Sequence, residues 1–233
     1  MAPATRTAID AQPDIRLLRL MQLVSPALPV GAFAYSQGME YVVQAGWVTD
    51  ALQAAHWIGG LLTHCLANFD VPILHRLYKA WQADRKETFD TWNRYLLAGR
   101  GSSELQQEEC HMGLALLRLL RQLQDDRVAE EPCPRPSFIA MFAVAACNWQ
   151  IQPDAACTGL LWSWSENQVT AAIKLVPLGQ TDGQRILMGL AETIPEAVRH
   201  GLALGDEDLG AAAPGASLAS AFHETQHTRL FRS

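Results

Sequence analysis

Seven histidines in a chain of 233 residues raise the possibility of metal chemistry first. His223 and His227 stand four apart, a spacing that on a helix sets both imidazoles on one face, with Glu224 beside them. A divalent ion needs three or four ligands in fixed geometry, and this pattern supplies two. No metal site and no cofactor are therefore expected. Cys110 and His111 are adjacent, but helical neighbours diverge by about 100°, so Cys110 reads as a small core residue beside Leu114 and Leu117. His56, His64, His75 and His200 read as structural or solvated side chains.

Glu104, Glu108 and His111 fall at i, i+4 and i+7, one polar stripe of a helix. Acid–base catalysis would need this stripe in a cleft with raised carboxyl pKa values. Nothing in the sequence implies burial, so it reads as a solvated face or as a strip that docks a partner. Lys174 ends an apolar helix, with Asn167 and Thr170 on the same face. It either complements the helix dipole or closes a polar track that meets a partner. The last residues set Arg229 and Arg232 beside Leu230 and Phe231, the residue types from which interface anchors are made. There is no Ser/His/Asp arrangement, no glycine-rich nucleotide turn and no G-x-x-x-x-G-K-[ST] loop. The chain is expected to be non-enzymatic, with no catalytic residue and no GTP hydrolysis of its own.

Composition narrows the classes further. The apolar fraction is 49% and the charged fraction 18%, so either partners cover surface kept free of charge or the core is alanine-rich and helix-dense. A net charge of −6 gives nucleic acid no electrostatic footprint. Five cysteines without a C-x-x-C pair argue against a disulfide scaffold or structural zinc. The longest apolar run, residues 138–147, is too short to span a membrane, which needs roughly 20 residues. A cytoplasmic protein is expected.

The elements that position these residues are helices. Leu17, Leu20, Met21, Leu23 and Val24 mark a first helix. Pro26, Pro29 and Gly31 stop it. Residues 33–45 then read as one helix, with Tyr35, Met39 and Val42 on one side and Ser36, Glu40 and Gln44 on another. Further helices are expected over about 50–67, 72–82, 88–98, and from a capping box at Ser103/Gln106 to about 123. Beyond a charged, proline-bearing linker at 125–136 come a short helix from 138 and an apolar helix from Asp154 to just before Pro177. A last one, from a Thr181/Gln184 capping box, is kinked or ended by Pro195. With no period-2 strand, the fold is all-α, about eight to ten helices in one domain over 14–204. A flexible segment is expected at 1–13, and a loop with a partner-binding tail at 205–233.

Four strings carry a family resemblance. Residues 25–40 (SPALPVGAFAYSQGME), 104–109 (ELQQEE), 174–180 (KLVPLGQ) and 223–233 (HETQHTRLFRS) resemble, in order, motifs of the F-type urease accessory proteins, the UreF family. The departures are Ala32 for a glycine, Ser102-Ser103 for a threonine–arginine pair, and His227 for tyrosine. The resemblance implies a subunit that joins the UreD/UreH-type accessory protein to the UreG-type, nickel-carrying GTPase. It also implies coupling of GTP hydrolysis to nickel insertion into apo-urease. It further implies docking through Tyr35, Ser36, Gln37, Glu40, Lys174, His223, Glu224, Gln226, Arg229, Leu230, Phe231 and Arg232, with the tail ordering on binding. Homodimer formation stays open. So do two other readings: a GTPase activator supplying Arg229, and a nickel metallochaperone using His223 and His227.

Overall fold

A computed structural model describes residues 14–123, 128, 131–210 and 213–233. Among them are ten α-helices and no strand. The segment 1–13, part of the linker at 125–136, and residues 211–212 lie outside the described residues.

Helix α1 (Ile15–Leu23) is capped by the Asp14 side chain, which accepts from Arg16 N. Its inner side is Leu20, Leu23 and Val24; Ile15, Leu17, Leu18 and Met21 face outward. Leu17 and Met21, which mark this helix in the sequence, are both more than half exposed. Helix α3 (Ala51–Leu61) starts at its Asp50 cap and runs into a π-turn, Leu62–Leu66, before α4 (Asp70–Gln82) and α5 (Lys86–Gly99). Helix α6 (Ser103–Gln122) is capped one residue earlier than the sequence suggests, by Ser102 Oγ accepting from Leu105 N.

The end of the linker is held by the buried Asn93, which donates to the Arg135 carbonyl and accepts from Ser137 N. That fixes the entry to α7 (Phe138–Asn148), almost wholly buried against α4 and α6. Helix α8 (Pro153–Leu175) is the central rod: its apolar, all-round surface is covered by α9 (Gln180–Ala203) along its length and by α1, α2 (Met39–Gln44), α3, α4 and α7. Helix α9 (Gln180–Ala203) runs on through Pro195, which neither ends it nor supplies its boundary. Its N-cap is Gly179, with no side-chain cap, so the expected Thr181 box does not form. Arg76 then holds the start of the following loop through Asp206 and the Leu204 carbonyl. No helix among the described residues is long and apolar enough to cross a membrane.

The stretch read as one helix at 33–45 is broken. A 3₁₀ turn at Ala32–Ala34 gives way to extended Tyr35, and α2 covers only Met39–Gln44. Gln37 and Gly38 both sit at left-handed φ, +54° and +83°. Glycine adopts that region freely, but for glutamine it costs roughly 1–2 kcal/mol. What the break achieves is seen where the chain's last residues return. There α10 (Pro214–His223) lies on α2.

Candidate functional site

Gly38 lets α10 approach closely, since a side chain there would press on Ala219 and the Ser220 backbone. From α10 the tail folds back over α2 and the start of α6, and three carboxylates receive it. Glu40 Oε1 accepts from Leu230 N at 2.6 Å and Oε2 from Phe231 N at 2.9 Å. Glu104 meets His223 Nδ1 at 2.7 Å and the Arg229 guanidinium. Glu108 accepts from Ser233 Oγ and from Gln37 Nε2, both at 2.7 Å. The Ser233 main-chain oxygen accepts from Ser36 N, Gln37 N and Ser36 Oγ. These donors converge only because the 35–38 segment is not helical. Left-handed Gln37 also aims its amide between Glu108 and the Trp164 indole, whose N–H it accepts at 2.7 Å.

The result is a clasp. His223 is fully buried, with its second nitrogen 3.5 Å from Glu40, and Phe231 and Ser233 are 6% and 1% exposed. Lys174 Nζ stands over the Phe231 ring, 5.5 Å from its centre. Arg232 N donates to the Ala34 carbonyl. Burial raises the Tyr35 phenol above its usual range, against a hydrogen bond from Arg232, and its oxygen lies 3.5 Å from His111 Nδ1. Glu224 Oε1 accepts from Ser103 Oγ and Glu104 N, so the tail also caps α6. The four strings singled out in the sequence thus meet at one place.

A sequence model of the UreF family matches residues 48–191. The urease accessory protein UreF of Alkalilimnicola ehrlichii is 47% identical, over 96% of this chain and 99% of that protein. Those of Teredinibacter turnerae and Chromohalobacter salexigens are 46% and 44% identical, over 94% and 97% of this chain. The chain belongs to the UreF family.

In this UreF-family chain the sequence-assigned residues separate into two groups. Ser36, Glu40 and His223 are buried contacts within the chain, as are Phe231 and the mostly buried Tyr35. Leu230, Arg232 and Lys174 stay outward, and Leu230 is 66% exposed. Gln226 turns inward upon the tail itself, its Nε2 donating to the Thr228 carbonyl. Arg229 is committed inside the clasp, donating to Glu104 and to the carbonyls of Glu224 and Gln226. Asn167, on the α8 track, donates to the Tyr35 carbonyl. The proposed metal pair does not share a helix face: α10 ends at His223, and His227 lies beyond it, exposed. Among the described residues no group of three or more His, Cys, Asp or Glu is placed to hold a metal ion.

The stripe Glu104/Glu108/His111 is not uniformly solvated. His111 is exposed and Glu104 half-buried, while Glu108 is buried. Burial lifts the Glu108 carboxyl to about 7, with Glu109 adding to the shift and Ser233, Gln37 and Arg100 opposing it. Sequence reasoning missed the neighbouring ion triad. Arg100 bridges Asp70 and Glu109, each at 2.5 Å. Burial disfavours its charge, but the two carboxylates outweigh that and raise its pKa. Glu109 also accepts from Phe138 N and Ile139 N, so the triad anchors the first turn of α7. The only signal for it in the sequence is the doubled Glu108-Glu109.

Proposed function

We propose that this chain is a non-enzymatic accessory subunit of urease maturation. It bridges a UreD/UreH-type accessory protein and a UreG-type GTPase, and couples GTP hydrolysis to nickel insertion into apo-urease. Membership of the UreF family supports the maturation role. One observation carries the docking assignment: the clasp fixes the tail's backbone while leaving Leu230 and Arg232 exposed beside Lys174 of α8. A rigid loop presenting a leucine and an arginine next to an exposed lysine is pre-organised for a partner, since its ordering cost is met before binding. Further apolar surface remains outside, on α1 (Ile15, Leu18, Met21) and around α2 and α10 (Trp47, Leu218, Phe222), as expected of a subunit built into an assembly. Coupling requires that the subunit bind one state of the GTPase better than the other.

The test is size-exclusion chromatography with light scattering on this chain, its UreD/UreH-type partner and the GTPase. The expected outcome is a ternary complex formed only when this chain is present. Deleting residues 228–233 is expected to abolish recruitment while the helical circular dichroism persists. Undiminished recruitment by the truncated chain would reject the tail as a docking element.

A further inference from the structure

Between the 25–33 loop, α6, α7 and α8 the packing leaves a cavity of about 180 Å³. One water needs roughly 10–15 Å³ of such space, so the cavity, which opens to solvent beside the exposed Phe33, holds more than a single water. The cavity is amphiphilic. One wall is apolar, built of Val24, Leu28, Met112, Phe138 and Leu160. The other end holds Asp70, Arg100, Glu108 and Glu109, with Gln37 and Trp164 beside them.

The charges at that end do not balance. Arg100 is committed to Asp70 and Glu109. Glu108 is left with two neutral donors, Gln37 and Ser233, and makes no ion pair among the described residues. Four carboxylates of the lining, Asp70, Glu108, Glu109 and the half-buried Glu166 of α8, therefore share one guanidinium, and Gln37 occupies a strained left-handed φ where it meets Glu108. An anion would face net negative charge. A bare metal ion would find no cluster of three or more His, Cys, Asp or Glu arranged to hold it among the described residues. A neutral apolar molecule would fill the wall and leave the charge unmatched.

We propose that this cavity binds a small organic monocation, an ammonium or amidinium head on an apolar body, with the head against Glu108 and the body against the Leu28–Leu160 wall. The head supplies the counter-charge Glu108 lacks. Glu108 faces Glu109, Arg100 and, beyond Arg100, Asp70. Because burial has lifted its carboxyl to about 7, a cation that holds it ionised displaces a proton near neutrality. The ionised carboxylate is also the stronger acceptor for Ser233 Oγ, so occupancy of the cavity tightens the clasp.

Isothermal titration of the full chain with n-butylammonium and benzamidinium tests this, with n-butanol and benzamide as uncharged counterparts. The chain alone is used, so the outcome is separate from that of the partner assay. Saturable one-to-one binding is expected, at least about tenfold tighter for each cation than for its neutral counterpart. Release of about half a proton at pH 7, read from buffers of different ionisation enthalpy, is expected with it. Glu108→Gln should erase the preference for charge, and Leu28→Trp, which fills the cavity from the loop side, should erase binding altogether. Absence of saturable binding of both cations overturns the proposal. So does unchanged affinity in Leu28→Trp, a variant that keeps the test valid where Glu108→Gln fails to fold.

Discussion

At the level of single residues, Glu40 does the most. Its two oxygens take the amides of Leu230 and Phe231, and one also faces His223. Hydrogen bonds to a buried charge are worth about 1.5–3 kcal/mol each, and losing the acceptor strands two main-chain donors. Glu40→Ala is expected to lower stability by about 2–3 kcal/mol, and hydrogen exchange should show Leu230 and Phe231 unprotected while α7 and α8 stay protected. Retained protection at 230 and 231 would reject this role. The sequence sets Glu40 with Ser36 and Gln44 on one side of a helix, and the family resemblance implies that it docks a partner. Helical spacing cannot supply where a segment 190 residues away folds back, and so misses the internal contacts of Glu40. Glu108 is legible in the same partial way: its helix and face are correct, but its partners Ser233 and Gln37 lie far away in the sequence.

Helices are far more legible in the sequence than the joints between them. Caps at Asp50, apolar periodicity and proline breaks place α3, α4, α7 and α8 to within a few residues. Failures occur where tertiary contacts override local preference. Residues 33–45 have helical periodicity, yet the chain gives up helix at 35–38 to present three donors to Ser233. Pro195 is accommodated inside α9, whose packing along α8 supports the helix across the lost hydrogen bond. The crossing of α6 with the approach to α7 hinges on Gly113, where any Cβ would collide with the Pro136 carbonyl and Ser137. Gly113→Ala should therefore destabilise the fold by about 1–3 kcal/mol or more, although alanine is the better helix former. A urea midpoint equal to or above that of the parent chain would contradict the close approach.

For the molecule as a whole, the buried carboxyl of Glu108 ties stability to pH. Its folded pKa, about 7, lies above the ordinary 4.5. The native state thus keeps a proton that the unfolded chain releases. The resulting stabilisation is complete below about 4.5 and is lost as pH rises through 7. On the order of 3 kcal/mol is at stake, and urea titrations at pH 5 and pH 8 should show it. Glu108→Gln is expected to flatten that difference; an equal slope in the variant would place the titrating group elsewhere. The clasp has a kinetic corollary too. Ser36 and Ser233 are 197 residues apart, and contacts that close so long a loop form late, because chain entropy must be surrendered before they give anything back. Their loss should therefore leave the refolding limb of a chevron almost unchanged and steepen the escape from the native state. The tail is, in this sense, less a part of what makes the protein fold than of what sets how long it stays folded.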